Sequence, residues 1–214
     1  MQPVHDPARD YSQVLGQDRE TVILADQLGF SECWIGEHIS ATTEPKISPL
    51  IFLASLLQET SQNKLGTGVF CLAIKHPAII AAEAALFDHL AKGRFLMGIG
   101  AGGLSSELEL FGVAGDNVDR GAIVQQSIDT VLAIWDGEPP YNIEGDYWNI
   151  RIENLERLAD FGVGRIPGPY QKPHPLIGIS IMSPNSMSAY GAGKNGWIPI
   201  SGSNLVQPRY IRSH

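Results

Sequence analysis

Residues 77–103, PAIIAAEAALFDHLAKGRFLMGIGAGG, decide the fold. Pro77 suits the first position of a helix, because the N–H it lacks is one that a helix start leaves unbonded anyway. The apolar run behind it predicts a helix to Leu90, with Gly93 as its stop. Phe95–Ile99 then reads as a buried strand, and Gly100-Ala101-Gly102-Gly103 as a glycine-rich turn at its end. A helix feeding a short β-rich run is part of a βα unit. The same rhythm continues on both sides, which predicts an α/β chain built around a parallel sheet.

Upstream, Val22, Ile23, Ala25 and Leu28 recur at helical spacing over 18–28, with Gly29 as the stop. Cys33-Trp34-Ile35-Gly36 reads as a buried strand. A helix is expected over about 49–59 and a strand over 65–72, where Val69, Phe70 and Cys71 suit a sheet covered on both faces. Downstream, a short helix over 105–110 precedes a longer one over 120–135, whose Ile123, Ile128, Val131, Leu132 and Trp135 form a broad apolar face. Residues 141–152 change to period two around Glu144-Gly145-Asp146, which predicts a hairpin outside the βα rhythm. The Gly- and Pro-rich stretch 153–175 completes an excursion over about 141–175. The rhythm returns with a strand at 176–181, a helix beginning near Pro184 and a strand around 197–200. The expectation is a single domain over 1–214.

Composition narrows the function. The chain has 214 residues, 43% of them hydrophobic, and a net charge of −8 with no Lys/Arg cluster. Nothing here would neutralise a phosphate backbone, so nucleic acid is not an expected partner and a small molecule is. The longest apolar stretches, such as 77–87, are too short for a membrane span, and the N-terminus lacks a basic region followed by an apolar core, so a cytoplasmic protein is expected. Cys33 and Cys71 sit in apolar runs and read as buried reduced thiols, with neither a disulfide nor a metal site expected.

In an α/β chain of this rhythm the strand ends are where chemistry gathers. The strand at 33–36 delivers Glu37 and His38, and His is suited to moving a proton near neutral pH. Gly66-Thr67-Gly68-Val69 and the turn at Gly98, Gly100, Gly102 and Gly103 let backbone approach a flat ligand. Ser183 reads as an N-cap and Pro184 as the first helical residue, which would offer backbone N–H groups and hydroxyls to a phosphate. His89, Trp34, Trp135 and Trp197 read as packing residues, and His5 as part of a terminal segment of the kind that is frequently disordered.

The order of these signals is specific. Trp34-Ile35-Gly36-Glu37-His38, Leu65-Gly66-Thr67-Gly68-Val69, His76-Pro77, Phe87-Asp88-His89-Leu90, Gly93-Arg94-Phe95, Phe111-Gly112 and Met182-Ser183-Pro184-Asn185-Ser186 together resemble the luciferase-like flavin monooxygenases over about residues 10–203. Residues 144–148, 169–175 and 196–199 look nearest to the limonene monooxygenase-like branch.

The resemblance implies a (β/α)8 TIM barrel of which this chain holds about strands 2 to 6, since such barrels take roughly 250 residues. Strand edges would then be open at 214 residues. It implies an enzyme that uses reduced FMN, supplied by a flavin reductase, and O2 to oxygenate a small apolar organic substrate through a peroxyflavin. A homodimer is expected. Two alternatives share the fold: an F420-dependent oxidoreductase and a catalytically silent flavin-binding subunit. Residue by residue, His38 matches the family's active-site histidine. Gly68-Val69 falls where members carry a non-proline cis peptide against the flavin ring. Ser183 and Ser186 match residues that hold the flavin phosphate, with Asn185 between them, and Gly100 leaves room for the cofactor. Ala101 and Met182 depart from a phosphate-binding arginine and a glutamate of the luciferase.

Overall fold

The computed structural model describes residues 3–153, 161–182 and 186–201. Its elements are α1 (Tyr11–Gln27), β1 (Glu32–Ile35), α2 (Pro49–Ala54), β2 (Lys64–Thr67), β3 (Phe70–Cys71), α3 (Pro77–Ala91), β4 (Phe95–Gly100), α4 (Ser105–Leu110), α5 (Arg120–Asp136), β5 (Tyr141–Ile143), β6 (Ile150–Ile152), β7 (Leu176–Ile181), α6 (Met187–Asn195) and β8 (Ile198–Ser201). Strands β1, β2, β4, β7 and β8 neighbour one another in that order, all parallel, and β3 also pairs with β4. The sheet curls into half a barrel, with the helices on its outer side.

Alternation along the strands separates two faces. Ile35, Leu65, Phe95, Met97, Ile99, Ile177, Ile179 and Ile181 are buried in the core that α3 and α5 cover. Small residues occupy the intervening positions. A Cβ on Gly66 would lie 2.6 Å from the Trp34 ring, and one on Gly178 would lie 2.6 Å from Ile200 and 3.3 Å from the same ring. Trp34 therefore lies across the inner, glycine-lined face instead of packing between helix and sheet. Trp135 does bridge helices, donating its indole N–H to the Ala81 carbonyl at 3.0 Å.

The central unit forms as its sequence dictates. Pro77 opens α3, the His76 ring accepts from the Ala78 amide, and Ile80, Ala81, Ala84, Phe87 and Ala91 are buried. Lys92 takes the left-handed cap (φ 50°) before Gly93. Elsewhere the boundaries differ from expectation. Helix α1 begins at Tyr11, not Asp18, because the Asp10 carboxylate caps it and its first turns are polar. Helix α2 stops at Ala54, short of the expected 59. The expected strand 65–72 is broken in two at Gly68-Val69, whose peptide bond is cis.

At that break the register shows one extra residue. Leu65 and Gly66 pair with Phe95 and Leu96, whereas Phe70 and Cys71 pair with Ile99 and Gly100. Three residues of one segment thus face two of the other, which is a bulge. The Thr67 hydroxyl fills the gap in the ladder, donating to Gly98 O at 2.8 Å and accepting from Gly98 N at 2.9 Å. A Cβ on Gly98 would meet Thr67 O at 1.9 Å.

The excursion is anchored to this frame. Antiparallel β5 and β6 form the expected hairpin, and Gln126 of α5 donates to Trp148 O and accepts from Tyr147 N, each at 2.8 Å. Further on, buried Asp88 accepts from the Gln171 amide and carboxamide, both at 2.8 Å, and His89 packs edge-on against Tyr170. Both cysteines are free; Cys71 is buried and Cys33 half-buried, against the expectation that both are buried. No helix among the described residues is long and apolar enough to cross a membrane.

Candidate active site at the strand ends

His38 follows β1 in the loop 36–48, with its side chain 30% exposed. Its Nε2 lies 3.2 Å from a Glu44 carboxylate oxygen and its Nδ1 lies 3.6 Å from Glu107 Oε1. Glu107 is buried on α4, directly after the glycine turn of β4, and its Oε1 also accepts from Ile39 N and, at 3.1 Å, from Ser40 N. One carboxylate therefore ties the histidine loop to the end of β4. Next to it, buried Glu37 accepts from Cys71 N at 2.9 Å and from Lys75 at 3.1 Å, which fixes the loop's start to β3. Burial, reinforced by the nearby Glu37 carboxylate, pushes the Cys71 thiol up to about 11, so it is a packing group and not a nucleophile.

The glycine end of β4 meets the cis peptide. A Cβ on Gly100 would lie 2.7 Å from Val69 Cγ2 and 2.5 Å from Ser180 Oγ, and one on Gly68 would lie 3.1 Å from Trp34 Cβ. Gly68, Val69 and Gly100 are thus brought together beside Ser180, and a side chain at 100 would collide with Val69 and Ser180. The His38 loop is joined to these strand ends through Glu37 and Glu107.

The end of the sheet at β7 and β8 is partly described. Helix α6 begins at Met187 with Ser186 as its cap, the hydroxyl accepting from Ala189 N at 3.2 Å. The expected cap and first helical residue, Ser183 and Pro184, lie outside the described residues, as does Asn185. At this end, Ser201 pairs in register with Ile181, and its buried hydroxyl has no hydrogen-bond partner among the described residues.

A cavity of about 380 Å³ opens beside His38, lined mainly by apolar groups of Pro7, Tyr11, Val14, Ile39, Pro45 and Ile47, with Arg9 at its edge. Between the lining residues Pro45 and Ile47, Lys46 joins a buried ionic cluster that residue-by-residue reading missed. Asp18 accepts from His5 at 2.9 Å and pairs with Lys46, so His5 is an ordered, buried partner and not a loose terminal residue. A signal for the carboxylates existed: Val14, Asp18, Val22 and Asp26 recur every four residues on the buried side of α1.

Comparison with known proteins agrees with this geometry. The luciferase-like monooxygenase family matches residues 1–207. The 4-hydroxyprotoasukamycin monooxygenase of Streptomyces nodosus subsp. asukaensis is 29% identical over 204 residues, which is 94% of this chain and 51% of that protein. Limonene 1,2-monooxygenase of Rhodococcus erythropolis is 36% identical over 136 residues, or 64% of this chain and 35% of the relative. The oxygenating constituent of 3,6-diketocamphane monooxygenase from Pseudomonas putida, solved with FMN, superposes with a TM-score of 0.84 at 25% identity, covering 93% of this chain and 55% of that one. F420-dependent dehydrogenases are among the further matches. The chain spans about half the length of the curated relatives that it matches along most of its length. From the glycine-rich strand ends, the histidine loop and these matches together, the chain belongs to the luciferase-like monooxygenase family.

Proposed function

We propose that this chain supplies the flavin-binding side of a flavin-dependent monooxygenase that takes reduced FMN and O2 and oxygenates a small apolar organic substrate. The observation that carries the reading is the meeting of Gly68, Val69 and Gly100 at the strand ends, with the His38 loop tied by Glu37 to Cys71, the residue paired with Gly100. In support, the glycines at 68 and 100 suit close approach of a flat ring. The Ser201 hydroxyl, which has no hydrogen-bond partner among the described residues, lies in the strand paired with β7, ahead of the Ser186 cap, where a polar tail would be held. Ser183 and Asn185 are assigned to the phosphate by the family resemblance. Bound reduced flavin would supply the electrons that activate O2.

The chain's own residues then divide the work. Val69 and Gly100 orient the ring, and the apolar wall of Pro45 and Ile47 admits an apolar substrate while limiting water. His38 holds or gives a proton at Nε2, with Glu44 beside that nitrogen as its exchange partner. A separate flavin reductase, a homodimeric assembly and a cytoplasmic setting complete the proposal. One relative is named as an oxygenase component, which supports the reductase.

The test is to supply the full-length natural protein with reduced FMN, 18O2 and a panel of small cyclic ketones and alkenes. Enzyme-dependent entry of one 18O atom into a product is the expected result. Binding of FMN with no labelled product from any panel member would sink the monooxygenase reading. The second reading, an F420-dependent oxidoreductase, is favoured by the F420-dependent matches. Side-by-side titration with FMN and F420 separates the two.

A further inference from the structure

The ionic cluster at Lys46 is unusual in its burial. The Lys46 side chain is 0% and the Asp18 side chain 2% exposed. Their partner His5 is also buried, and its Nε2 lies 2.9 Å from Asp18 Oδ1. Burying a lysine is costly, and an apolar pair of similar volume would often be as stable, so such a cluster earns its place by fixing an arrangement. What it fixes is visible in the backbone. Lys46 O accepts from the His38 amide at 3.0 Å, and Lys46 N donates to Glu44 O at 2.8 Å. The His5 amide donates to Thr43 O at 2.9 Å. One carboxylate in the middle of α1 thus grips the far end of the histidine loop directly through Lys46 and its centre through His5. The neighbours of Lys46, Pro45 and Ile47, are the cavity wall.

We infer that Asp18 and Lys46 are positioning residues: their buried pair sets the placement of His38 and of the cavity wall from a distance, without touching substrate. The inference rests on the role given to His38 above. The mechanism is geometric. Lys46 Nζ cannot leave Asp18 without stranding a buried charge, so the Lys46 carbonyl, and with it the His38 amide, has one position. Without the pair, the loop 36–48 would keep its attachments at Glu37 and Glu107 but lose the one at its far end.

The test uses the full-length natural protein and two variants, Asp18→Asn and the apolar swap Asp18→Leu/Lys46→Met. Amide hydrogen exchange is read on peptides covering 36–47 and, as a control, 95–100 of β4. At least a tenfold loss of protection in 36–47 with 95–100 unchanged is expected in both variants. Where turnover can be measured, kcat should fall at least tenfold, with cofactor affinity within twofold. The exchange arm needs no turnover, so it stands even if the monooxygenase reading fails. Unchanged protection of 36–47 would overturn the inference. So would an equal loss in both peptides, or failure of both variants to fold, because either result assigns the cluster to general stability.

Discussion

The two ends of the sheet are both tied by buried carboxylates, but they are tied to different things. At the end where the strands begin, Asp26 accepts from the amides of Ser61, Gln62 and Asn63 at 3.0, 2.9 and 2.7 Å. Asp88 there holds Gln171 through an amide and a carboxamide. At the end where the strands finish, Glu37 and Glu107 also accept from backbone amides, but every carboxylate adds a basic side chain: Glu37 meets Lys75, Glu107 meets His38, and Asp18 meets Lys46 and His5. The first end uses amides alone. The second joins amides to histidine and lysine. The difference separates ties made to amides alone from ties that also recruit basic side chains, the latter at the end where barrels of this type gather their catalytic groups.

Breaking the first kind of tie should cost stability alone. Asp88→Ala leaves the Gln171 amide without its acceptor, while the carboxamide keeps Phe95 O, and is expected to lower stability by about 2 kcal/mol in urea titration, with turnover per folded molecule unchanged. The second kind should behave in the opposite way. His38→Gln is expected to lower kcat/KM by about 100-fold, near 2.7 kcal/mol of transition-state stabilisation, with stability shifted by less than about 0.5 kcal/mol. Steady-state kinetics alongside thermal melts decide it. An equal loss in both quantities would erase the contrast between the ends. Glu107→Gln keeps an acceptor for Ile39 and Ser40 but removes the charge beside His38; a fall of about tenfold in kcat/KM and a changed pH profile are expected.

The smallest effect sharpens the comparison by pH. Burial works against ionisation of Asp26, but the amides of Asn63, Ser61 and Gln62, with Arg94 nearby, outweigh it and hold the carboxyl below its ordinary 3.8. A depressed folded-state value means the contribution is complete above about 3.8 and disappears as pH falls through the folded value below it. Asp26→Asn should therefore cost about 1 kcal/mol at neutral pH. It should also flatten the stability loss on acidification, as read by melts from pH 7 to pH 2. An acid limb identical to that of the parent would show that Asp26 is not its source.

Much of the frame is legible in residue order. The elements α3, β4, α5, the 141–152 hairpin and β7 lie where periodicity, Pro77 and the glycine stops place them, because their apolar patterns are local. The carboxylate ties are not local. Glu107 reaches 68 residues back to Ile39, Asp88 reaches 83 residues ahead to Gln171, and Asp26 reaches 37 to Asn63. Spacing along the chain shows that an acid lies on a buried stripe, as with Asp18 and Asp26, but not which amide or cation it meets. The Phe87-Asp88-His89 motif illustrates this. Its order carries the family resemblance, while its acid clasps the chain at 171, far from His38 in sequence. The early start of α1 was hidden for another reason, since its first turns are polar and only the Asp10 cap announces them.

The Thr67 hydroxyl that stands in for ladder hydrogen bonds has a consequence for how this sheet can vary. Loss of that hydroxyl leaves the Gly98 amide and carbonyl unbonded, and any side chain at 98 collides with Thr67 O. Position 67 must keep a hydroxyl to serve the Gly98 backbone, and position 98 must stay without a side chain whatever stands at 67, because the oxygen it would meet is backbone. A chimaera that takes β2 from one relative and β4 from another must therefore bring a hydroxyl on the first strand and a glycine on the second.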